Sequence, residues 1–184
     1  GEFELTAAPV KGLELSLNAI IVEAEFDSTV VDGNGAVIGG LRKGNRLPSV
    51  PKFTVAAGAT YTWQVTINGK GAEAFAAASY QYIGDRYTQP SDQEPGAGNF
   101  VSGLPFGGAT GNEVTVVDLQ LDSYNILNLN AGLDFDKWSL LAYINNATDE
   151  NAHLAFDRER GGRARLGFHT NQPRTFGVGA RFRF

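Results

Sequence analysis

The sequence contains no cysteine and no methionine, and only two histidines, His153 and His169. Without cysteine there is no disulfide framework and no thiolate metal site. Two histidines without a surrounding set of carboxylates are a poor basis for zinc binding or proton transfer. No stretch approaches the roughly 18 consecutive apolar residues of a membrane-spanning helix. Charge of one sign is missing too: 15 Lys and Arg are interspersed with 20 Asp and Glu, for a net charge of −5. A phosphate backbone needs a concentrated basic face, so nucleic acid is not an expected partner. Ser, Asp and His occur in no arrangement resembling a nucleophile elbow or a triad. Gly177-Val178-Gly179 opens no helical pattern and is not a dinucleotide fingerprint. The expectation is a protein that is not an enzyme, with no catalytic residues, no cofactor and no metal.

What is present is apolar and strand-like. Hydrophobic residues make up 42% of the 184 positions, which is too many for a disordered chain. That length suits one ordinary domain or part of a larger barrel. Strict apolar/polar alternation, the mark of a strand with two different faces, recurs in about seven segments: 2–9, 13–26, 52–65, 71–87, 124–136, 138–149 and 173–184. Three connections are tight: Pro9 to Gly12, Thr66 to Lys70 with Asn68-Gly69 inside it, and Phe135 to Lys137. Asn-Gly is a strong hairpin signal. The other three, roughly 27–51, 88–123 and 150–172, are long and polar or Gly-rich. Short and long links alternate, so an antiparallel meander puts all short turns at one end and all long loops at the other. Outer-membrane barrels have that form, with short periplasmic turns and long extracellular loops. Their lipid face is spread over alternate residues, so hydropathy alone does not reveal it.

The faces support the same reading. Phe176, Val178, Ala180, Phe182 and Phe184 lie on one side of the last segment, and Gly177, Gly179, Arg181 and Arg183 on the other. A charge on the lipid face near the bilayer centre costs about 2–4 kcal/mol, so the arginines are expected toward the lumen. Segment 52–65 sets Phe53, Val55, Ala57, Ala59, Tyr61, Trp63 and Val65 against threonines and Gln64. Tyr61, Trp63, Phe135 and Trp138 fall beside the short turns, while Tyr80, Tyr82, Phe26 and Phe53 fall toward the long loops. Two aromatic girdles bracketing a small aliphatic band are expected of a barrel wall. A soluble antiparallel sandwich also alternates, but there the apolar face is buried against a second sheet.

These stretches resemble a known family. Thr175 to Phe184 is similar to the C-terminal assembly signal of outer-membrane proteins, carried by Phe176, Val178, Ala180, Phe182 and Phe184. NRLPSVPKFTVAAGATY at 45–61 resembles the loop-to-strand entry of TonB-dependent receptors. LNLNAGLDFDKWSLLAYINNATDE at 127–150 resembles their penultimate hairpin, with Asn146, Thr148 and Asp149 at its upper end. FDRERGGRARLGFHTNQPRTFGVGARFRF at 156–184 resembles their last loop and closing strand. The resemblance implies a location in the cell outer membrane and TonB-dependent uptake of a scarce ligand, such as a siderophore or a glycan. It implies as partners the outer-membrane lipid and lipopolysaccharide, the barrel-assembly machinery, the imported small ligand and the TonB complex, the last through an N-terminal part not present here. Family barrels have about 22 strands around a plug. The whole chain, 1–184, is therefore expected to be the C-terminal portion of such a barrel, without its plug and earlier strands. Gly1 to Leu5 already reads as the inside of a strand and carries no signal-peptide pattern, so the expectation is either a processed start or, the favoured reading, a piece of a longer chain. An eighth strand at Val114 to Leu121 (VTVVDLQL) would instead permit a small autonomous barrel with a structural or adhesive role.

Two loop motifs have competing readings. Asp157, Arg158, Glu159, Arg160, Arg163 and Arg165 form either an extracellular patch for anionic groups or a solvated loop with weak internal ion pairs. Asp32-Gly33-Asn34-Gly35 resembles the start of a calcium loop, but the glutamate required twelve positions from the first ligand is missing, so a plain turn is expected.

Overall fold

The computed structural model describes residues 1–101, 114–158 and 166–183. Seven strands form one antiparallel sheet: β1 (Glu2–Val10), β2 (Leu13–Ile21), β3 (Phe53–Ile67), β4 (Lys70–Ile83), β9 (Tyr124–Asp134), β10 (Trp138–Asn145) and β13 (Thr175–Phe182). They stand side by side in chain order, the up-and-down meander predicted from the alternating links. Tight turns at Lys11-Gly12, Asn68-Gly69 and Phe135 to Lys137 close one end. Asn68 and Gly69 both have positive φ, 51° and 76°, as a primed hairpin turn requires. Pro9 cannot donate to a ladder, and the β1–β2 register shifts between Ala7 and Val10.

Register decides what the sheet presents. A one-residue slip in any strand would turn its whole apolar set over. The one shift, the bulge in β1, is absorbed within that strand: Ala7 before it pairs with Leu15 and Val10 after it pairs with Leu13, both on the apolar face. One cross-strand row runs Val10, Leu13, Tyr61, Ala76, Ala131, Ala142, Val178 through all seven strands. The neighbouring row, on the opposite face, runs Glu14, Thr60, Ala77, Asn130, Tyr143, Gly177. The apolar face is open: Leu140 is 43% exposed in the sheet interior and Val178 is 86% exposed at its edge. Among the described residues no second sheet covers it, which removes the sandwich reading. Among the described residues no helix is long and apolar enough to cross a membrane.

The long connections are not plain loops. They carry three further ladders: β5 (Arg86–Tyr87) with β8 (Gln120–Leu121), β6 (Asn99–Val101) with β7 (Val114–Val116), and β11 (His153–Arg158) with β12 (Leu166–Thr170). A single 3-10 turn, Pro90–Gln93, follows β5. The proposed eighth wall strand is thereby corrected, because Val114 to Leu121 is split between two of these small ladders. Asp118 explains the break: its carboxylate accepts the Gln120 N–H at 2.9 Å, a local turn that competes with a continuous strand. Segments 13–26, 71–87 and 138–149 likewise leave the sheet earlier than alternation suggested, at Ile21, Ile83 and Asn145.

Candidate functional site

The polar face has a chemistry graded along the strands. Near the short turns, Gln64 donates to Glu73 at 3.1 Å, and Glu73 is paired across the ladder with Asp134. Like charges directly opposite destabilise a sheet. Arg183 offsets this by donating to Asp134 at 3.0 Å, while Arg181 stands opposite Ser139. Both arginines thus occupy the polar face, as the alternation predicted. Toward the middle, hydroxyls and amides dominate: Ser16, Ser79, Asn128 and Asn130, with Asn128 donating to Ser79 at 3.3 Å. The face is less uniformly polar than alternation implied. Phe75 and Tyr143 also point this way, each with its ring over a glycine of the neighbouring strand, Gly132 and Gly177.

The aromatics collect at the strand ends of the apolar face. Tyr61 and Trp63 stack at 5.3 Å, and Phe135 and Trp138 at 4.0 Å, both on the short-turn side. Phe53 and Tyr82 meet at 6.0 Å on the long-loop side, and Tyr80 shares their strand face. Phe26 stands apart, in the first long loop, where its amide bonds Asn45.

The long-loop end is a cross-bonded rim. Arg46, in the first loop, donates to the Asp85 carboxylate and to the Asp85 carbonyl, each at 2.6 Å. This guanidinium holds the Asp85 carboxyl below its usual range. Gln93 pairs with both the N–H and the C=O of Arg46, at 2.8 and 2.9 Å. Glu94 accepts from Arg42 at 2.7 Å and from Asn45 at 3.0 Å, and Arg42 lowers its pKa. Arg86 is buried at 6% exposure. Its Nη2 donates to the carbonyls of Leu154 and His153 at 3.0 and 3.3 Å, and its guanidinium lies 5.2 Å from the Tyr124 ring centre. Leu121 stands opposite it in the β5–β8 ladder, and Leu119, Leu121 and Phe156 are the most buried large apolar side chains among the described residues.

At the head of the last hairpin, buried Asn146 adopts φ +51° and donates to the carbonyls of Glu150 and Gln172 at 2.8 and 3.1 Å. Asp149 accepts from the Arg174 amide at 3.1 Å. Asp32 accepts from the amides of Asn34 and Ala36, both at 2.9 Å, so that motif is a turn. His153 stacks on Phe168, and among the described residues no three potential ligands converge on a metal position. Arg160, Arg163, Arg165 and Phe184 lie outside the described residues, and of Arg158 only the backbone, at the end of β11, is described. Arg42, Arg46, Asp85, Arg86, Gln93 and Glu94 escaped the sequence reading, since their partners lie 39 to 68 positions away.

No curated protein matches the sequence. Among solved structures, the chain is similar to the ferric yersiniabactin uptake receptor FyuA from Yersinia pestis, with a TM-score of 0.67 and 15% identity over 100% of this chain and 23% of that one. It is also similar to the ferric-catecholate import receptor Fiu from K12 E. coli in its closed form, with a TM-score of 0.60 and 15% identity over 100% of this chain and 20% of that one. The chain thus spans about a fifth to a quarter of the receptors it matches, and at this identity the likeness shows the fold alone. The sequence itself matches the family described as TonB dependent receptor-like, beta-barrel, over residues 5–147. With most of its length so matched, the chain belongs to the β-barrel family of TonB-dependent receptors.

Proposed function

We propose that this chain is the C-terminal wall of an outer-membrane receptor that takes up a scarce ligand, a ferric siderophore or a glycan, with energy from the TonB complex. It catalyses no bond chemistry. The observation that carries the reading is the shared register. Seven strands place every apolar set on one exposed face, with the long loops sorted to one end. In hydrocarbon such a face needs no second layer, and every backbone group is paired within the sheet except at its two edges. Those edges, on β1 and β13, would pair with the remaining strands of a larger barrel. Tyr61, Trp63, Phe135, Trp138, Tyr80 and Tyr82 would form the interfacial girdles. Phe176, Val178, Ala180, Phe182 and Phe184 would present the assembly signal. Arg158, Arg160, Arg163 and Arg165 are candidates for contacts with lipopolysaccharide or ligand anions.

The test is uptake of iron-loaded siderophores and of labelled oligosaccharides by cells that carry or lack the full receptor gene, with and without a working TonB complex. Accumulation of one of these that needs both gene and TonB is expected. Accumulation that persists without TonB would overturn the proposal.

A further inference from the structure

The described parts of the three outer connections, residues 22–52, 84–101 with 114–123, and 146–158 with 166–174, share stabilising contacts. The middle one is held from both sides. Toward the first, Arg46 grips Asp85, Gln93 brackets the Arg46 backbone like a short piece of ladder, and the Ser49 amide bonds the Tyr87 carbonyl at 2.7 Å. Gly40 lies so close to Ser91 that any side chain there would overlap its backbone. Toward the third, Arg86 bonds two carbonyls of β11, the Phe156 amide bonds the Thr88 hydroxyl at 2.8 Å, and Phe156 packs on Phe100.

The chemistry of Arg86 matters most. Among the described residues no carboxylate accompanies it, so its buried charge is stabilised by β11 carbonyls and by the Tyr124 ring, groups from two other parts of the chain. Separating the loops would break those bonds and uncover buried Phe156 where it packs on Phe100 in the same event. Segments that lose their contacts together behave as one cooperative unit. Separate flaps would instead show few shared contacts and a wet interface.

We propose that these three loops form one preassembled lip, pinned by Arg46 and Arg86, past which ligand enters without the loops folding over the opening one by one. The proposal rests on the receptor reading for what passes the lip. The two measurements below read the lip itself, so their failure is separate from a failure of the uptake experiment.

The first measurement is amide hydrogen exchange on the full-length receptor in detergent, with Arg86→Met. Exchange at least tenfold faster is expected at 86–88 and at 153–156 together, with wall amides at 127–133 unchanged. Acceleration confined to 86–88 would overturn the proposal. The second needs no substitution in the lip contacts. Nitroxide labels at Lys43→Cys, Val116→Cys and His169→Cys, taken in pairs, sit at exposed positions of the three loops. Single narrow distance distributions are expected, unchanged by saturation with whichever iron-loaded siderophore the cells accumulate. Broad or multiple distributions in the unliganded receptor would show independent flaps and sink the idea.

Discussion

Leu140 and Leu121 are both strand leucines, one in the wall and one in the rim. Leu140 is 43% exposed on the apolar face, and Leu121 is 1% exposed under the loops. The difference teaches what each region has for a solvent. The wall leaves most of its large apolar side chains open, because hydrocarbon would accept them, and its order comes from backbone ladders and register. The rim stands in water. It is too small for a large core, so it adds the buried Arg86 guanidinium, the half-buried Arg46 and reciprocal amide pairs to a few apolar side chains.

The sharpest way to break this comparison uses two consecutive residues of β4. Ala78 lies on the apolar face between Ala59 and Leu129, and Ala77 on the polar face between Thr60 and Asn130. Ala78→Arg should abolish assembly, since a charge deep in the lipid face costs about 2–4 kcal/mol. Ala77→Arg should leave folded receptor in the outer membrane. Heat-modifiable migration of the two variants on gels reads the outcome. Equal tolerance would show that the faces are wrongly assigned.

Leucine truncation tests the same contrast with a smaller effect. Leu121→Ala leaves a cavity at a fully buried position and should cost the rim about 2–4 kcal/mol. Leu140→Ala leaves a gap that a lipid tail can fill, and should cost about 1 kcal/mol or less. Exchange protection of rim and wall amides separates the two. A further pair lies on the polar face. A methyl at Gly132 would meet the Leu140 carbonyl, which is backbone and fixed, as well as the Phe75 ring. The three atoms nearest a methyl at Gly177 all belong to the Tyr143 side chain, which can turn aside. Gly132→Ala should therefore destabilise by about 1–3 kcal/mol, and Gly177→Ala by clearly less, in urea unfolding of the intact barrel.

These contrasts also mark what the sequence could disclose. Period-two alternation is a local signal, so the wall, its turns and the lumen-facing Arg181 and Arg183 were legible residue by residue. Phe75 and Tyr143 broke the pattern without moving a strand, because each covers a glycine on the next strand, a pairing that only the register reveals. The rim was not legible. Residues 88–123 read as loop because β6, β7 and β8 are only two or three residues long, and short ladders carry no period. Nothing local in the sequence singles out Arg46 or Arg86, since burial depends on partners far along the chain. Val114 to Leu121 misled for the opposite reason: its composition suits a strand, and the Asp118 turn cuts it in two.

The smallest effect is one of pH, and it too divides the regions. The Arg46 guanidinium holds the Asp85 carboxyl below the ordinary carboxylate range, with Gln120 adding a hydrogen bond. A carboxyl with a lowered folded pKa contributes stability that is fully present above its unfolded value, about 4, and is lost as pH falls through the folded value. Between pH 7 and 5 the exchange rates at 46–49 and 85–87 should therefore be flat after correction for intrinsic chemistry. Below about pH 4 they should rise, by less than about 1 kcal/mol, since Asp85 is partly exposed and screened. Arg46→Met should raise the rates at neutral pH and flatten that acid step, because no guanidinium then favours the charged carboxylate. Wall amides at 127–133 should show no matching step with or without Arg46. A step of equal size in the wall would mean that acid loosens the whole barrel, and that the rim is no separate unit.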